Sequence, residues 1–341
     1  MIDSAESNKR TIELMKNGYD PFLDFLKGFC ILSVILTHCL DERRDYILFH
    51  YWGELAVPLF LILQAYHVFR KDKACISRHE IENMIRRIFL PFICVTIIEF
   101  LYFALATDIT ILGLIKRIIL SGGSLGAGSY YFCVYLQFFI LAPLTYWAFR
   151  RFNISLLSGG VIFTIICILT EFVLSYVNMS TNLYKLSCLR YIYLIYFGYV
   201  WSRSGIRLNV LTVSLSVVSI VFITIFRYSD ITLEPVFFDA VYSWKDCHWI
   251  CYFYPAFLFM FILWWIYDRF DARLKALVEK LGRYSWEIFV TQMFFFALFP
   301  KAQFLSSGNI FLTISIMSLL AFSFSILPFW VYDKYKTRKQ K

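Results

Sequence analysis

The chain has 341 residues, of which 60% are hydrophobic, 20% are aromatic and only 17% are charged. A soluble domain of this length would not place so many Phe and Tyr side chains on its surface, so the composition excludes that class and predicts an all-α, polytopic membrane protein. The formal net charge of +9 requires no nucleic acid, because it can face anionic membrane lipid or an anionic cytoplasmic ligand.

Hydropathy predicts about ten transmembrane helices. They lie near residues 22–40, 52–69, 88–106, 130–148, 155–177, 187–202, 208–226, 249–267, 284–300 and 309–332. A shorter apolar segment at 109–120 is interrupted by Lys116 and Arg117, so we interpret it as an interfacial helix. The predicted domains are a cytoplasmic segment at 1–20, a transmembrane domain at 21–333 and a basic cytoplasmic tail at 334–341.

The distribution of basic residues predicts the orientation of these helices. With the N-terminus in the cytoplasm, 23 of the 33 Lys and Arg residues fall in inner segments and nine in outer segments, with Lys27 at the inner border. This asymmetry follows the positive-inside rule, so both termini are predicted to be cytoplasmic. The polar N-terminal segment does not resemble a cleaved secretory signal.

The stretch from Tyr19 to Cys39 places Lys27 and His38 eleven positions apart on one apolar run. At the helical rise, roughly 16 Å separates them along the axis, about half of a hydrocarbon core. Lys27 can then reach one membrane face while His38 lies deep in the bilayer or nearer the far side. Imidazole titrates near neutrality, so His38 is a candidate general base. The alternative is a histidine that only hydrogen-bonds a neighbouring helix.

Two arginines, Arg86 and Arg87, stand at the inner end of the third predicted span, just before Pro91. Guanidinium groups there suit a phosphorylated ligand, although anchoring to lipid headgroups explains most arginines at this depth. Further polar residues within or beside apolar runs are candidate supporting groups, because an unpaired polar group in lipid is costly. They are Asp24, Glu99, Gln137, Glu171 and Arg190.

Residues 121–129, SGGSLGAGS, form a glycine-rich segment on the predicted outer side. The segment lacks the Lys-Ser/Thr ending of a phosphate-binding loop and lies opposite the nucleotide pool. It is interpreted as a flexible outer loop, or alternatively as a lip over an extracytoplasmic acceptor.

The nine cysteines are scattered, mostly inside apolar runs, and do not form a disulfide framework. Cys247, His248 and Cys251 come closest to the spacing of metal ligands. This group lacks a fourth partner, so no metal site is predicted.

The first predicted helix resembles that of the integral-membrane acyltransferase 3 family, whose members carry Arg or Lys, ten residues, then His. The pattern here is Asp24-x-x-Lys27-Gly28-x-x-Ile31-x-x-Val34-x-x-x-His38. Later segments resemble other landmarks of the family. They are Val57-Pro58-Leu59-Phe60, Arg86-Arg87 before Pro91, Tyr131-Phe132 with Tyr135 and Pro143, Arg190-Tyr191 through Phe197-Gly198-Tyr199, and Leu281-Gly282-Arg283-Tyr284-Ser285. The resemblance covers nearly the whole chain.

Three positions depart from the family pattern. Gln64-Ala65 stand where the second helix usually has Ser-Gly, and Asn83 stands where an Arg often precedes the basic pair. Gln292 stands where the ninth helix often has His. These departures bear on subfamily and substrate more than on the core chemistry, because His38 and its cationic partner remain.

The resemblance implies transfer of an acyl group, commonly acetyl, from a coenzyme A thioester to a sugar hydroxyl of a surface glycan or lipid-linked precursor. Lys27, Arg86 and Arg87 would hold the anionic end of acyl-CoA, which is a co-substrate rather than a tightly bound cofactor. His38 would deprotonate the acceptor hydroxyl or assist an acyl-enzyme route. The expected location is a bacterial inner membrane, with lipid around the protein and no nucleic acid partner.

Two alternatives belong to other functional classes. A proton-coupled transporter or flippase of a glycan precursor would use His38, Glu99 and Glu171 as proton-relay groups. Transporters often contain internal repeats, and none is found in this sequence. An assembly protein without activity draws support only from the three departures described above.

Overall fold

The computed structural model describes residues 20–40, 48–72, 75–176, 181–228, 252–299 and 310–339. Within these ranges the chain is all-helical and contains no β-strand, which confirms the all-α part of the predicted fold class. The α-helices are α1 Pro21–Leu40, α2 Ala56–Arg70, α3 Arg78–Met84, α4 Leu90–Ala106, α5 Ile111–Leu120, α6 Tyr130–Arg151, α7 Leu156–Tyr176, α8 Thr181–Leu186, α9 Tyr193–Ser204, α10 Val210–Tyr228, α11 Phe253–Tyr267, α12 Ala272–Arg283, α13 Ser285–Leu298 and α14 Ile310–Lys339.

Short helical turns extend or connect these helices. A 3₁₀ turn at Phe49–Tyr51 precedes α2, and another at Cys188–Tyr191 lies between α8 and α9. A π-helical turn at Ile85–Phe89 joins α3 to α4, so that Arg78–Ala106 forms one long rod.

Within the described ranges, four helical segments are long and apolar enough to cross a membrane. They are Pro21–Leu40, Phe49–Arg70, Arg78–Ala106 and Tyr130–Arg151. Shorter apolar helices follow at Leu156–Thr170, Val210–Ile225, Phe253–Tyr267, Ser285–Leu298 and Ser315–Leu327. Nine of the ten predicted spans overlap one of these segments, as expected for a membrane protein. The sixth, at 187–202, instead overlaps the 3₁₀ turn Cys188–Tyr191 and the twelve-residue helix α9. The number of ten crossings, the cytoplasmic termini and the domain limits stay predictions.

Helix α1 lies at the centre of the bundle, packed against α2, α11, α12, α13 and α14. Phe25, Leu26, Ile31 and Ile35 on α1 are almost completely buried. By contrast, α7 and α10 expose many apolar side chains, such as Leu157 on α7 and Val210 on α10. An apolar outer surface around a packed centre is the arrangement expected of helices that face lipid.

Helix α12 is the element that the hydropathy pattern does not predict, because its sequence ARLKALVEKLGR mixes charged and apolar residues. Asp271 caps it by accepting hydrogen bonds from the backbone N–H groups of Arg273 at 3.0 Å and Leu274 at 3.1 Å. Its apolar side includes the buried Val278 and Leu281 and packs extensively on α1. The inner loop expected there is therefore an amphipathic helix.

Candidate active site

A cavity of about 850 Å³ lies between α1, α2, α6 and α13. It follows α2 along its whole length, from Ala56 to Val68 and on to Lys71, which corresponds to roughly 22 Å at the helical rise. The cavity therefore has two distant ends. The cationic end is lined by Lys27, Lys71, Arg87 and Arg283, and the loop end is lined by Glu54, Gly128, Lys185, Arg190 and Tyr252.

Carboxylates accompany the positive charges at the cationic end. Lys27 Nζ lies 3.0 Å from Asp24 Oδ1, and Arg283 Nε lies 3.5 Å from Asp24 Oδ2. Lys71 Nζ lies 3.2 Å from Glu80 Oε1. Each carboxylate stabilises a cation without covering it, because the cationic side chains still line the cavity. An anionic ligand can form charge-assisted hydrogen bonds to the same groups.

Two glycines explain why Lys27 and Arg283 share one carboxylate. A side chain at Gly28 would collide with the backbone carbonyl of Val278, and one at Gly282 would collide with the carbonyl of Asp24. Helices α1 and α12 therefore approach so closely that only glycine fits at both crossing points. The two sequence motifs around Lys27-Gly28 and Gly282-Arg283 thus pack against each other where α1 crosses α12.

The π-helical turn separates the roles of Arg86 and Arg87. Both side chains are exposed, but only Arg87 of the two lines the cavity. Consecutive residues of a helical turn point in different directions, so one side chain of the pair lines the cavity and the other does not. Single π turns inside α-helices occur frequently at functional sites. The structure thus places Arg87 with Lys27 and leaves Arg86 outside the cavity lining.

His38 is half-buried in the cavity wall, near the loop end. Its ring packs edge-on against Phe296, with the ring centroids 5.5 Å apart. Gly128 is also close, since a β-carbon there would stand 3.5 Å from His38 Nε2. Gly128 also has a φ of +88°, which side-chain-bearing residues rarely adopt. Glycine therefore keeps space open beside the imidazole nitrogen.

The glycine-rich loop at 121–129 is held in place by Glu99 on α4. This carboxylate is fully buried in α4 and accepts hydrogen bonds from Ser124 Oγ at 2.7 Å and from the Leu125 backbone N–H at 3.1 Å. Glu99 is not among the residues that line the cavity. These hydrogen bonds connect the loop to α4, whereas its flexibility stays a prediction.

Gln137 fixes the chain segment that leads to Arg190. Its Nε2 donates to the Leu186 carbonyl at 2.7 Å, and its Oε1 accepts from the Cys188 backbone N–H at 2.9 Å. Arg190 follows in the 3₁₀ turn, is only 5% exposed and lines the cavity. Its guanidinium lies 5.2 Å from the centre of the Tyr184 ring, within range of a cation–π interaction.

The three departures from the family pattern lie at the cavity or beside it. Gln64 and Asn83 line the cavity, and Asn83 hydrogen-bonds His79 Nε2 at 2.9 Å. Gln292 is fully buried and donates from Nε2 to the Ala127 carbonyl of the glycine-rich loop at 3.4 Å. These residues thus contact the space or the loop that a substrate would meet.

Some predicted residues lie outside the described part of the molecule. Glu171 belongs to α7, but its side chain is outside the described residues, as are Cys247, His248 and Cys251. Conversely, sequence reasoning did not single out Lys71, Arg283 or Trp286 as cavity residues. Gly282 was an available signal for Arg283, because a glycine inside a helix often marks a close approach.

The site thus combines a cationic end suited to phosphate groups with a titratable imidazole near the other end. Lys27 and His38 lie on the same helix, roughly 16 Å apart along its axis. A ligand that extends from the cationic end to His38 therefore has to span roughly this distance.

Comparison with known proteins gives one strong similarity. The family model Acyl_transf_3, described as an acyltransferase domain, matches residues 20–332. No curated protein and no solved structure matches the chain.

Proposed function

Because the chain belongs to the Acyl_transf_3 family of acyltransferases, as the pattern from Asp24 to His38 predicted, we propose that it moves an acyl group from acyl-CoA to a sugar hydroxyl. The acyl group is most simply acetyl, and the acceptor is a surface glycan or a lipid-linked sugar. The observation that carries the proposal is one cavity with a cationic end, a separate loop end and His38 in its wall.

The donor is proposed to bind with its phosphates at the cationic end. Coenzyme A carries several phosphate charges at one end and its thioester at the other, separated by a flexible arm. Lys27, Lys71, Arg87 and Arg283 line that end and offer donors for these charges. Arg86 lies outside the lining and would act only through its long-range field. The arm would then carry the thioester towards His38.

His38 is proposed to act as the general base for direct transfer. Its imidazole takes the proton of the acceptor hydroxyl while that oxygen attacks the thioester carbonyl carbon. The new carbon–oxygen ester bond forms, the carbon–sulfur bond breaks, and the imidazolium returns the proton to the departing thiolate. Gly128 leaves room beside Nε2 for the reacting groups. A cavity with two ends lets both substrates be present together, which direct transfer requires.

The supporting groups would act by position rather than by proton transfer. Arg190 is buried at the loop end and is proposed to contact the acceptor, while Gln137 holds the segment before it. Glu99 holds the glycine-rich loop beside His38. The protein is proposed to lie in a bacterial inner membrane, with the cationic end towards the cytoplasmic pool of acyl-CoA.

Replacing His38 tests this proposal most directly. His38→Gln keeps polarity but removes the base, so the turnover number should fall by about 10²–10⁴ while the KM values of both substrates stay close to wild type. The measurement is acetyl transfer by purified protein, normalised to the monodisperse fraction. His79→Gln is the matched control, because His79 is exposed and does not line the cavity.

Near-normal turnover by His38→Gln would remove the proposed base. The same assay separates the enzyme from a proton-coupled transporter or flippase, which also needs a cavity with two ends. Acyl transfer by protein in detergent, where no gradient exists, is a property of the transferase alone.

A further inference from the structure

Aromatic rings line the cavity between its cationic end and His38. They are Phe60, Tyr131, Tyr135, Trp286 and Phe289. The ring centroids of Trp286 and Phe289 lie 5.4 Å apart, and those of Tyr135 and Trp286 lie 5.9 Å apart. None of these five side chains carries a charge, so a charged ligand group would lose hydration here without gaining a counter-charge from them. This part of the cavity therefore suits an uncharged chain.

Two polar atoms interrupt this aromatic lining. Gln64 Oε1 and Trp286 Nε1 are both buried, and neither has a hydrogen-bond partner among the described residues. Both residues line the cavity. Buried polar atoms without a partner are uncommon because they lose their bonds to water without replacement. Here the pair consists of one acceptor and one donor.

The orientation of the Gln64 side chain is fixed by its neighbour. Its amide nitrogen Nε2 donates to the backbone carbonyl of Tyr135 at 2.9 Å, and a carbonyl can only accept. The oxygen Oε1 must therefore be the atom left over. Trp286 Nε1 can only donate, whatever its surroundings. Because the Tyr135 ring packs beside Trp286, both polar atoms lie around the same stretch of α6.

We propose that Gln64 Oε1 and Trp286 Nε1 form a subsite for a secondary amide of the donor arm. Oε1 accepts a hydrogen bond from the amide N–H, and Nε1 donates one to an amide carbonyl. This inference rests on the proposed function, because the arm of coenzyme A that joins the phosphates to the thioester contains two such amides. The subsite binds the arm of the donor through its amide, independently of the phosphate contacts at the cationic end.

The depth of the subsite agrees with this assignment. Gln64 precedes Lys71 by seven residues on α2, which places it roughly 10 Å from the cationic end. His38 stands roughly 16 Å from Lys27 along α1. The polar pair thus lies between the level of the phosphates and the level of the reacting thioester. An amide arm stretched between those two levels has to pass it.

A departure from the family pattern now has a physical role. The second helix usually has Ser-Gly where this chain has Gln64-Ala65, and the longer glutamine reaches the Tyr135 carbonyl on α6. Ala65 faces α9 at the same level, where a β-carbon on Gly198 would stand only 2.5 Å from the Ala65 Cβ. Gln64 is therefore both a bridge between α2 and α6 and a determinant of what passes between them.

Two fragments of the donor test the subsite separately from the charges. Pantetheine contains both amides and no phosphate, whereas adenosine 3′,5′-bisphosphate contains phosphates and no amide. Each is used as a competitive inhibitor of acetyl transfer. Trp286→Phe keeps the ring and removes the N–H, so the Ki of pantetheine should rise about threefold to tenfold, the effect of one uncharged hydrogen bond. The Ki of adenosine 3′,5′-bisphosphate should not change.

Arg87→Ala supplies the reverse pattern, with weaker inhibition by the bisphosphate and unchanged inhibition by pantetheine. Gln64→Met removes the other polar atom and should match Trp286→Phe, with some loss of thermal stability because the bond to Tyr135 is also lost. Trp286→Phe removes no hydrogen bond that the described residues make, so any loss of thermal stability should come only from the smaller ring.

An unchanged pantetheine Ki in Trp286→Phe would overturn the inference, as would equal changes for both fragments. A rise confined to the acceptor KM would also overturn it, by assigning the pair to an amide of an N-acetylated sugar. Failure of the proposed function looks different. In that case the wild-type protein transfers no acetyl group from acetyl-CoA at all.

Discussion

At the cationic end, long side chains reach the cavity from partly exposed positions, whereas at the loop end buried polar groups hold the backbone in place. At the cationic end the Arg283 side chain is 56% exposed, whereas Glu99 and Gln292 beside the glycine-rich loop are completely buried. Exposed charges keep much of their hydration and adapt to a ligand that binds and leaves. Buried hydrogen bonds instead fix a geometry, which is what the proposed reacting centre beside His38 needs.

The difference predicts that the two ends affect different kinetic constants. Substitutions at the cationic end should act mainly on the KM for acyl-CoA. Substitutions that release the glycine-rich loop should act mainly on turnover and on stability. Three experiments examine this contrast, from an all-or-none effect to a graded one.

The clearest expected result is that the cationic end and the loop end of the cavity face opposite sides of the membrane. Because basic residues concentrate in the predicted inner loops, reporter fusions after Arg78 and Lys280 should give a cytoplasmic signal. A fusion at Ser180, in a predicted outer loop, should give an external one. A cytoplasmic signal at Ser180 would contradict the orientation, and with it the separate approach of donor and acceptor.

Removing the carboxylate that holds the loop should destabilise the protein and slow turnover. Glu99→Leu leaves the Ser124 hydroxyl and the Leu125 N–H without their acceptor, at an expected cost of about 3 kcal/mol in the free energy of unfolding. The measurements are the thermal midpoint in detergent and the turnover number. The KM for acyl-CoA should stay near the wild-type value.

Glu99→Gln is the matched substitution, because it keeps an acceptor oxygen of similar size but cannot carry a proton. It should retain most of the activity and stability that Glu99→Leu loses. If Gln is as damaging as Leu in the turnover assay while the fold is intact, Glu99 transfers protons. That result would contradict the purely positional role proposed for Glu99.

The smallest expected effect distinguishes two neighbouring arginines. Arg87→Ala removes a cation that lines the cavity, so the KM for acyl-CoA should rise about tenfold, the scale of one charge-assisted hydrogen bond. Arg86→Ala removes the same charge from outside the lining and should change KM less, with the change fading as salt is added. Equal effects of the two substitutions at high salt would contradict the division made by the π turn.

The helices could be predicted from the sequence because apolar length is a local property. The pattern from Asp24 to His38 also identified the family and placed a cation and an imidazole on one helix. Helix α12 escaped prediction, since an amphipathic surface helix gives no strong hydropathy signal. Its contact with α1 depends on Gly28 and Gly282, and nothing in the sequence pairs them.

Among the candidate site residues, the sequence identified those whose chemistry is unusual for an apolar run, but it did not reveal their partners. Glu99 stands out as a carboxylate in lipid, yet its hydrogen bonds to the loop depend on tertiary packing. Arg86 and Arg87 are the same residue type at adjacent positions, and only the direction of each side chain on the helix shows which one lines the cavity. At position 64 the sequence shows only that Gln replaces the usual Ser of the family. The hydrogen bond from its Nε2 to the Tyr135 carbonyl shows why its oxygen remains available.

A cavity that admits each substrate from its own side would let the acyl group and the hydroxyl proton exchange places across the membrane. In the proposed reaction an acylium equivalent leaves sulfur for the acceptor oxygen, and the acceptor proton returns to sulfur by way of His38. Each carries one formal positive charge, so a complete turnover is electroneutral. Membrane voltage then does no work on the reaction, and thioester cleavage alone drives it. A cell with a collapsed membrane potential would still acylate its glycans, whereas a proton-coupled carrier in the same bilayer would stop.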